Sequence, residues 1–113
     1  MSEDSSLEVS VAETQRLLAV KAGSIRLVDV RDPDEYEHCR LPGAELIPLP
    51  TLPSEAAAKL PDKEAHILLY CHHGMRSLRA AEILRQLGYK HAQSMAGGID
   101  RWSHEIDSTV PRY

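Results

Sequence analysis

Cys71-His72-His73-Gly74-Met75-Arg76-Ser77 is a cysteine entering a short polar turn that opens onto a helical pattern, and its reading decides the fold. The apolar run ahead of it, Ile67-Leu68-Leu69-Tyr70, has the length and bounding of a buried strand, so Cys71 stands at a strand's carboxyl end. Behind it, Ala80, Ala81, Ile83, Leu84 and Leu87 fall towards one side of a helix over 77–87. Arg79, Glu82, Arg85 and Gln86 fall towards the other, and Gly88 closes the pattern. A strand, a tight turn and a helix aim several backbone N–H groups into one concavity, and the helix dipole adds partial positive charge there. Anions bind such cradles. A thiol at the rim ionises more easily because the amides and Arg76 stabilise the thiolate, which is the nucleophilic form. The competing reading is an inert core cysteine. It is disfavoured because a Gly, an Arg and a helix start all follow within six residues.

Working outward, strand patterns at Leu7-Glu8-Val9, Ile25 to Val30, Ala44 to Leu49, 66–70 and Ala92 to Met95 alternate with helical ones. Ser10-Val11-Ala12-Glu13 reads as a capping box, with Ser10 capping and Glu13 returning the bond, for a helix running to about Ala22 and ended by Gly23. Asp32-Pro33-Asp34-Glu35 starts a turn and a short helix, and Leu41-Pro42-Gly43 is another turn. Further helices are expected at Glu55–Lys59, stopped by Pro61, and at 98–105. Alternation of this kind implies an α/β fold, a parallel sheet covered on both faces, with ligands at the strands' carboxyl ends. Cys71, Arg31 and Gly97 all follow strands.

At 113 residues the chain reads as one domain, 7–113, behind a polar tail at 1–6 expected to be disordered. A net charge of −4 with no strongly basic stretch argues against nucleic acid as a partner. The acidic start Met1-Ser2-Glu3-Asp4-Ser5-Ser6 is unlike a signal peptide, and no apolar run approaches the ~20 residues that cross a bilayer. Two cysteines, Cys39 and Cys71, are too few for a disulfide framework. A working thiolate suits a reducing compartment, so a cytoplasmic location is expected.

Loop length separates two chemistries. Cysteine phosphatases place five residues between Cys and Arg, whereas four lie between Cys71 and Arg76. The stretch Cys71 to Ser77 closely resembles the active-site loop of the rhodanese family of sulfurtransferases. Asp29-Val30-Arg31, with Glu35-Tyr36 and Leu41-Pro42-Gly43-Ala44, resembles that family's first signature, and Ala96-Gly97-Gly98 with Trp102 its last. The first signature commonly reads Gly-His where this chain has Cys39-Arg40. The ending, Trp102-Ser103 and then Asp107 to Tyr113 with Val110-Pro111, is similar to rhodanese domains attached to ubiquitin-activating-like adenylyltransferases.

The resemblance implies five parallel strands with helices on both sides, and a persulfide carried on Cys71. It implies a donor such as thiosulfate or a cysteine desulfurase persulfide, and no cofactor. Cyanide, a thiol, a sulfur-carrier protein or an adenylyltransferase would accept the sulfur. Loop amides from His72 through His73, Gly74, Met75 and Arg76 to Ser77, with the Arg76 side chain, would bind the anion. Two other classes compete: a cysteine phosphatase or arsenate reductase of related fold, and a binding module in which Cys71 is incidental.

His72 and His73 beside Cys71 invite a metal reading, but adjacent residues rarely converge on one ion and no second ligand cluster is present in the sequence. They read instead as polar lining. Asp29, Arg31 and Glu35 read as an ion-pair set bracing the turn, since sulfur transfer between thiolates needs little proton transfer. Cys39 reads as a packed free cysteine more readily than as a redox partner of Cys71, and Trp102 as core more readily than as a substrate platform. Arg76 is expected to be an exposed side chain at the helix mouth, and nothing in the sequence suggests a lid. An open site of this kind favours docking with a protein.

Overall fold

The computed structural model describes residues 6–113, so the expected disordered tail lies outside the described residues except for Ser6. The strands are β1 (Glu8–Val9), β2 (Ile25–Asp29), β3 (Glu45–Leu46), β4 (His66–Tyr70) and β5 (Ala92–Met95). They form one sheet in the order β1-β5-β4-β2-β3. All four pairings are parallel, as the strand and helix alternation requires.

Side chains alternate across the central strand. Ile67 and Leu69 join Val28 in a cluster with Leu52 and Ala56 of α3 (Leu52–Lys59) and Ala80, Ala81 and Leu84 of α4 (Met75–Gln86). Leu68 and Tyr70 join Leu27 in a second cluster with Val11 and Leu17 of α1 (Val11–Val20) and Ile99 and Trp102 of α5 (Gly98–Glu105). Covered on both faces, β4 therefore reads as an unbroken apolar run. Trp102 is core, as its sequence context suggested.

The register sets Asp29 opposite Tyr70, so β2 and β4 end level and Val30 emerges beside Cys71, with Arg31 one residue further on. The short α2 (Pro33–His38) follows β2 and buries no residue. It is held from below, because the Arg31 guanidinium donates to the Cys39 carbonyl at 2.5 Å and the Tyr36 hydroxyl donates to the Ala44 carbonyl at 3.1 Å.

Several expected boundaries move, each for a local reason. Ser10 caps α1 by accepting from the Glu13 amide at 3.0 Å, but the Glu13 carboxylate grips Arg16 at 2.9 and 2.6 Å, so the expected capping box is half formed. The helix stops at Val20, and a 3-10 turn at Ala22–Ser24 replaces its expected end. The third strand is only Glu45–Leu46 rather than 44–49. Pro48 and Pro50 force a 3-10 turn at Leu49–Thr51, although the Ile47 and Leu49 amides still reach Asp29 and Val30 carbonyls at 2.9 and 3.1 Å. Pro53 lies in the first turn of α3, which starts at Leu52 instead of Glu55, since an N-terminal turn tolerates proline. The helix after Cys71 starts at Met75, two residues ahead of the expected Ser77.

Candidate active site

Gly74 decides how the chain turns from β4 into α4. It is the residue before the helix, with φ of +106°, a conformation that side chains with a Cβ rarely adopt. A Cβ there would also lie 3.0 Å from the Gly97 amide nitrogen. This turn folds the loop back so that the Cys71 sulfur sits under the N-terminus of α4. Sγ accepts the Gly74 amide at 3.1 Å and the Ser77 amide at 3.3 Å, and the thiol reaches Ser77 Oγ at 3.5 Å. Ser77 is itself buried, with Oγ 2.7 Å from Ser94 Oγ and donating to the Gly74 carbonyl at 3.3 Å.

The opposite wall comes from the turn between β5 and α5. The Ile99 and Asp100 amides donate to the Cys71 and His72 carbonyls at 2.8 and 3.1 Å. Gly98, at φ of +66°, brings its backbone so close to those carbonyls that any Cβ would strike both. The expected role of the 97–98 pair, close backbone approach, is therefore what the loop rests on. Cys71 is 1 % exposed, at the floor of the cradle rather than at its rim, so any reaction partner must come down to it.

The charged residues divide differently from the sequence expectation. Asp29 and Arg31 form a pair with no exposed side-chain surface, Nη2 to Oδ2 at 2.6 Å and Nε to Oδ1 at 2.9 Å. Glu35 does not complete that pair. It reaches across to α4 and holds Arg76 in a two-pronged bridge, Nη1 to Oε1 at 2.7 Å and Nη2 to Oε2 at 3.0 Å. Glu35 Oε1 also accepts the Asp32 amide at 3.1 Å. The Arg76 hydrogen bonds hold the Glu35 carboxyl down at about 2, against the cost of its burial. Arg76, expected to be exposed, is instead 35 % exposed and tied down by Glu35. The same Glu35 contact is the main reason its proton affinity is raised, with the Cys71 sulfur a smaller contributor.

Tyr113 is the residue that sequence reasoning missed. Its phenol donates to Glu35 Oε2 at 2.9 Å and accepts from Arg31 Nη1 at 2.7 Å, joining the two ion pairs into one network. Burial pushes the Tyr113 phenol up to about 12, with the Arg31 and Glu35 bonds opposing each other. Its ring stacks on His72 at 3.9 Å, and His72 packs against His73 at the same centroid distance with the rings tilted by 32°. A terminal tyrosine has no periodicity to mark it. A wall over His72 also means the loop is less open than expected. Burial, and then the neighbouring His73, lower the His72 pKa, so the ring is neutral around pH 7. Its Nε2 is buried without a partner among the described residues.

His73 and Met75 face outward, Met75 being the most exposed large apolar side chain described. Beside His73 lies a polar depression of about 300 Å³, lined also by Asp100, Arg101, His104 and Arg112. Cys39 is buried in the cluster on the other face of the sheet from Cys71, its thiol 3.6 Å from the Pro111 carbonyl. No group of three or more His, Cys, Asp or Glu side chains among the described residues is arranged to hold a metal ion.

A cysteine sulfur receiving two amides at a helix N-terminus can hold negative charge, on itself and on a transferred atom. Comparison with known proteins places the chain in a family. The model of the rhodanese-like domain matches residues 10–105. The chain is 39% identical over 72 residues to the thiosulfate sulfurtransferase PspE of Escherichia coli, covering 64% of this chain and 68% of that protein. It is 36% identical over 90 residues to the probable adenylyltransferase/sulfurtransferase MoeZ of Mycobacterium tuberculosis, covering 79% of this chain and 23% of MoeZ. The structure superposes on the human single-domain sulfurtransferase TSTD1 with a TM-score of 0.79 at 34% identity, covering 88% of this chain and 97% of that one. Against the longer relatives, MoeZ and a chloroplastic rhodanese-like/PpiC protein of Arabidopsis thaliana, the chain spans 23% and 30% of their length.

Proposed function

This chain belongs to the rhodanese-like domain family, a family of sulfurtransferases, and on that footing we propose that it carries a sulfane sulfur as a persulfide on Cys71. The observation that carries the reading is the Cys71 sulfur accepting the Gly74 and Ser77 amides at the head of α4. With thiosulfate as donor, the Cys71 thiolate attacks the outer sulfur. A new S–S bond forms, the bond to the sulfonate sulfur breaks, and sulfite leaves with the electron pair. The terminal persulfide sulfur then lies among the loop amides from His72 to Ser77, which stabilise its charge without reorganising. An acceptor nucleophile attacks that sulfur and Cys71 leaves as thiolate, so no external oxidant or reductant is needed.

A phosphoryl-transfer reading finds less support. The loop is one residue shorter than that of cysteine phosphatases, and the Arg76 guanidinium that would clasp a phosphoryl group is committed to Glu35. Turnover of an aryl phosphate is expected to be negligible beside sulfur transfer.

The physiological exchange we propose is with proteins in a reducing, cytoplasmic setting: a desulfurase persulfide as donor, and as acceptor a sulfur carrier or its adenylyltransferase. The pairing of adenylyltransferase and sulfurtransferase in the name of MoeZ supports that choice of acceptor. The exposed Met75 and His73 around a deep thiol offer a surface for docking.

Intact-mass analysis tests the core of this reading. Thiosulfate should add one sulfur atom to the wild-type protein and none to Cys71→Ser, and cyanide should then remove it as thiocyanate. Absence of the added sulfur from the wild-type protein with every donor tried would overturn the assignment.

A further inference from the structure

The permanent charges around Cys71 cancel in pairs. Asp29 neutralises Arg31, and Glu35 neutralises Arg76 through both carboxylate oxygens. His72 is held neutral by burial, while His73 faces Asp100 at 3.9 Å and is largely exposed. Asp32 also lies within electrostatic reach of Arg76 and adds negative potential. What attracts an anion to the thiol is therefore the amide dipoles and whatever Arg76 charge Glu35 leaves uncancelled.

We propose that Glu35 is a specificity-determining residue: by neutralising Arg76 beside the thiol, it disfavours a doubly charged donor such as thiosulfate relative to a singly charged persulfide. The proposal rests on the sulfurtransferase reading and deepens it. A thiolate attacking thiosulfate brings one negative charge against two, whereas attack on a persulfide brings one against one. Each unit of positive potential in the cradle therefore counts about twice as much for thiosulfate. Glu35 is well placed to set that potential. Its side chain is 17 % exposed, it is ionised down to about pH 2, and its position is over-determined by Arg76, Asp32 and Tyr113.

The test compares wild type, Glu35→Gln, Glu35→Asp and Arg76→Gln. Glu82→Gln, which removes the same charge from an exposed pair with Arg79 farther along α4, serves as control. Single-turnover loading of Cys71 is measured with thiosulfate and with cysteine persulfide at low and high salt. Glu35→Gln should raise thiosulfate loading by about threefold or more at low salt and persulfide loading by less, with the gain shrinking as salt rises. Glu35→Asp should keep the wild-type preference, because it keeps the charge while altering the geometry.

A second readout needs no sulfur transfer: the rate ratio for alkylation of Cys71 by anionic iodoacetate over neutral iodoacetamide. That ratio should rise in Glu35→Gln, stay level in Glu82→Gln, and fall below wild type in Arg76→Gln, where Glu35 is left uncompensated. Equal loss of both donors in Glu35→Gln, or a ratio indifferent to Glu35 and Arg76, overturns the assignment. If neither donor loads any variant, the sulfurtransferase reading has failed, and the alkylation ratio still decides what Glu35 does to the potential. Should the Glu35 variants not fold, the Arg76→Gln ratio alone decides.

Discussion

The ring of Tyr113 lies flat on the imidazole of His72, with centroids 3.9 Å apart and planes 6° from parallel. The last described residue of the chain thus packs on the second residue of the Cys71 loop. Its hydroxyl at the same time bridges Arg31 and Glu35. Ring and hydroxyl are separable by substitution. Tyr113→Phe keeps the stack and loses two charge-assisted bonds at a half-exposed site, for a cost of about 1 kcal/mol in urea unfolding. Tyr113→Ala loses both and exposes His72, and should cost more.

His72 supplies the pH signature of that contact. Its folded-state pKa is lowered from 6.5 by burial, so the unfolded chain takes up the proton first. Stability should therefore fall as pH drops through about 6.5 and level off once the folded ring protonates. An NMR titration of His72 should show its pKa moving back up in Tyr113→Ala and hardly at all in Tyr113→Phe. An unmoved pKa in Tyr113→Ala would mean that the stack does not desolvate the ring.

Glu35 gives a second pH window, lower on the scale and of the same sign. Its folded carboxyl is held at about 2 against 4.5 when unpaired, so its contribution is complete above about 4.5 and is lost as pH falls through about 2. The stability gap between wild type and Glu35→Gln should be roughly 1–2 kcal/mol at pH 6, reduced from the full linkage value because Arg76 is partly solvated. It should close on acidification. A gap independent of pH between 6 and 2 would assign the loss to packing instead of charge.

Gly98→Ala should be among the most damaging single substitutions. The added methyl group would collide with the Cys71 and His72 carbonyls at a positive φ, forcing the loop away from the Ile99 and Asp100 amides. A loss of about 2 kcal/mol or more is expected, with slower alkylation of Cys71 in the molecules that remain folded. Thermal unfolding and an iodoacetamide rate measure the two effects, and a variant with wild-type stability would contradict the close packing of this turn.

Only one cysteine should carry sulfur. Cys39 packs in the cluster on the opposite face of the sheet from Cys71, so Cys39→Ser should keep thiocyanate formation at a stability cost of about 1 kcal/mol. Cys71→Ser should abolish it. A folded but equally inactive Cys39→Ser would defeat the one-cysteine mechanism.

The order of strands and helices, the two-faced sheet and the position of Cys71 were all legible in the sequence. Short unbroken apolar runs, helical spacing and turn residues are local properties, and the apolar run Ile67–Tyr70 ending at Cys71 carries its meaning within a few residues. Boundaries failed where a local signal had two outcomes. Pro53 can end one element or begin the next, and Glu13 has Arg16 within reach as well as the Ser10 amide. The partnership of charges was not legible at all. Glu35 binds Arg76 across 41 residues of sequence and Tyr113 across 78. Such pairings depend on the parallel register that brings β2 and β4 level and on where the chain's end returns over α2. Sequence alone thus determined which thiol stands at the head of a helix and which backbone cradles it, because adjacent residues build that unit. Only the tertiary structure decided how much positive charge that thiol sees, because electrostatic potential sums over side chains that the fold, and not the chain order, makes neighbours.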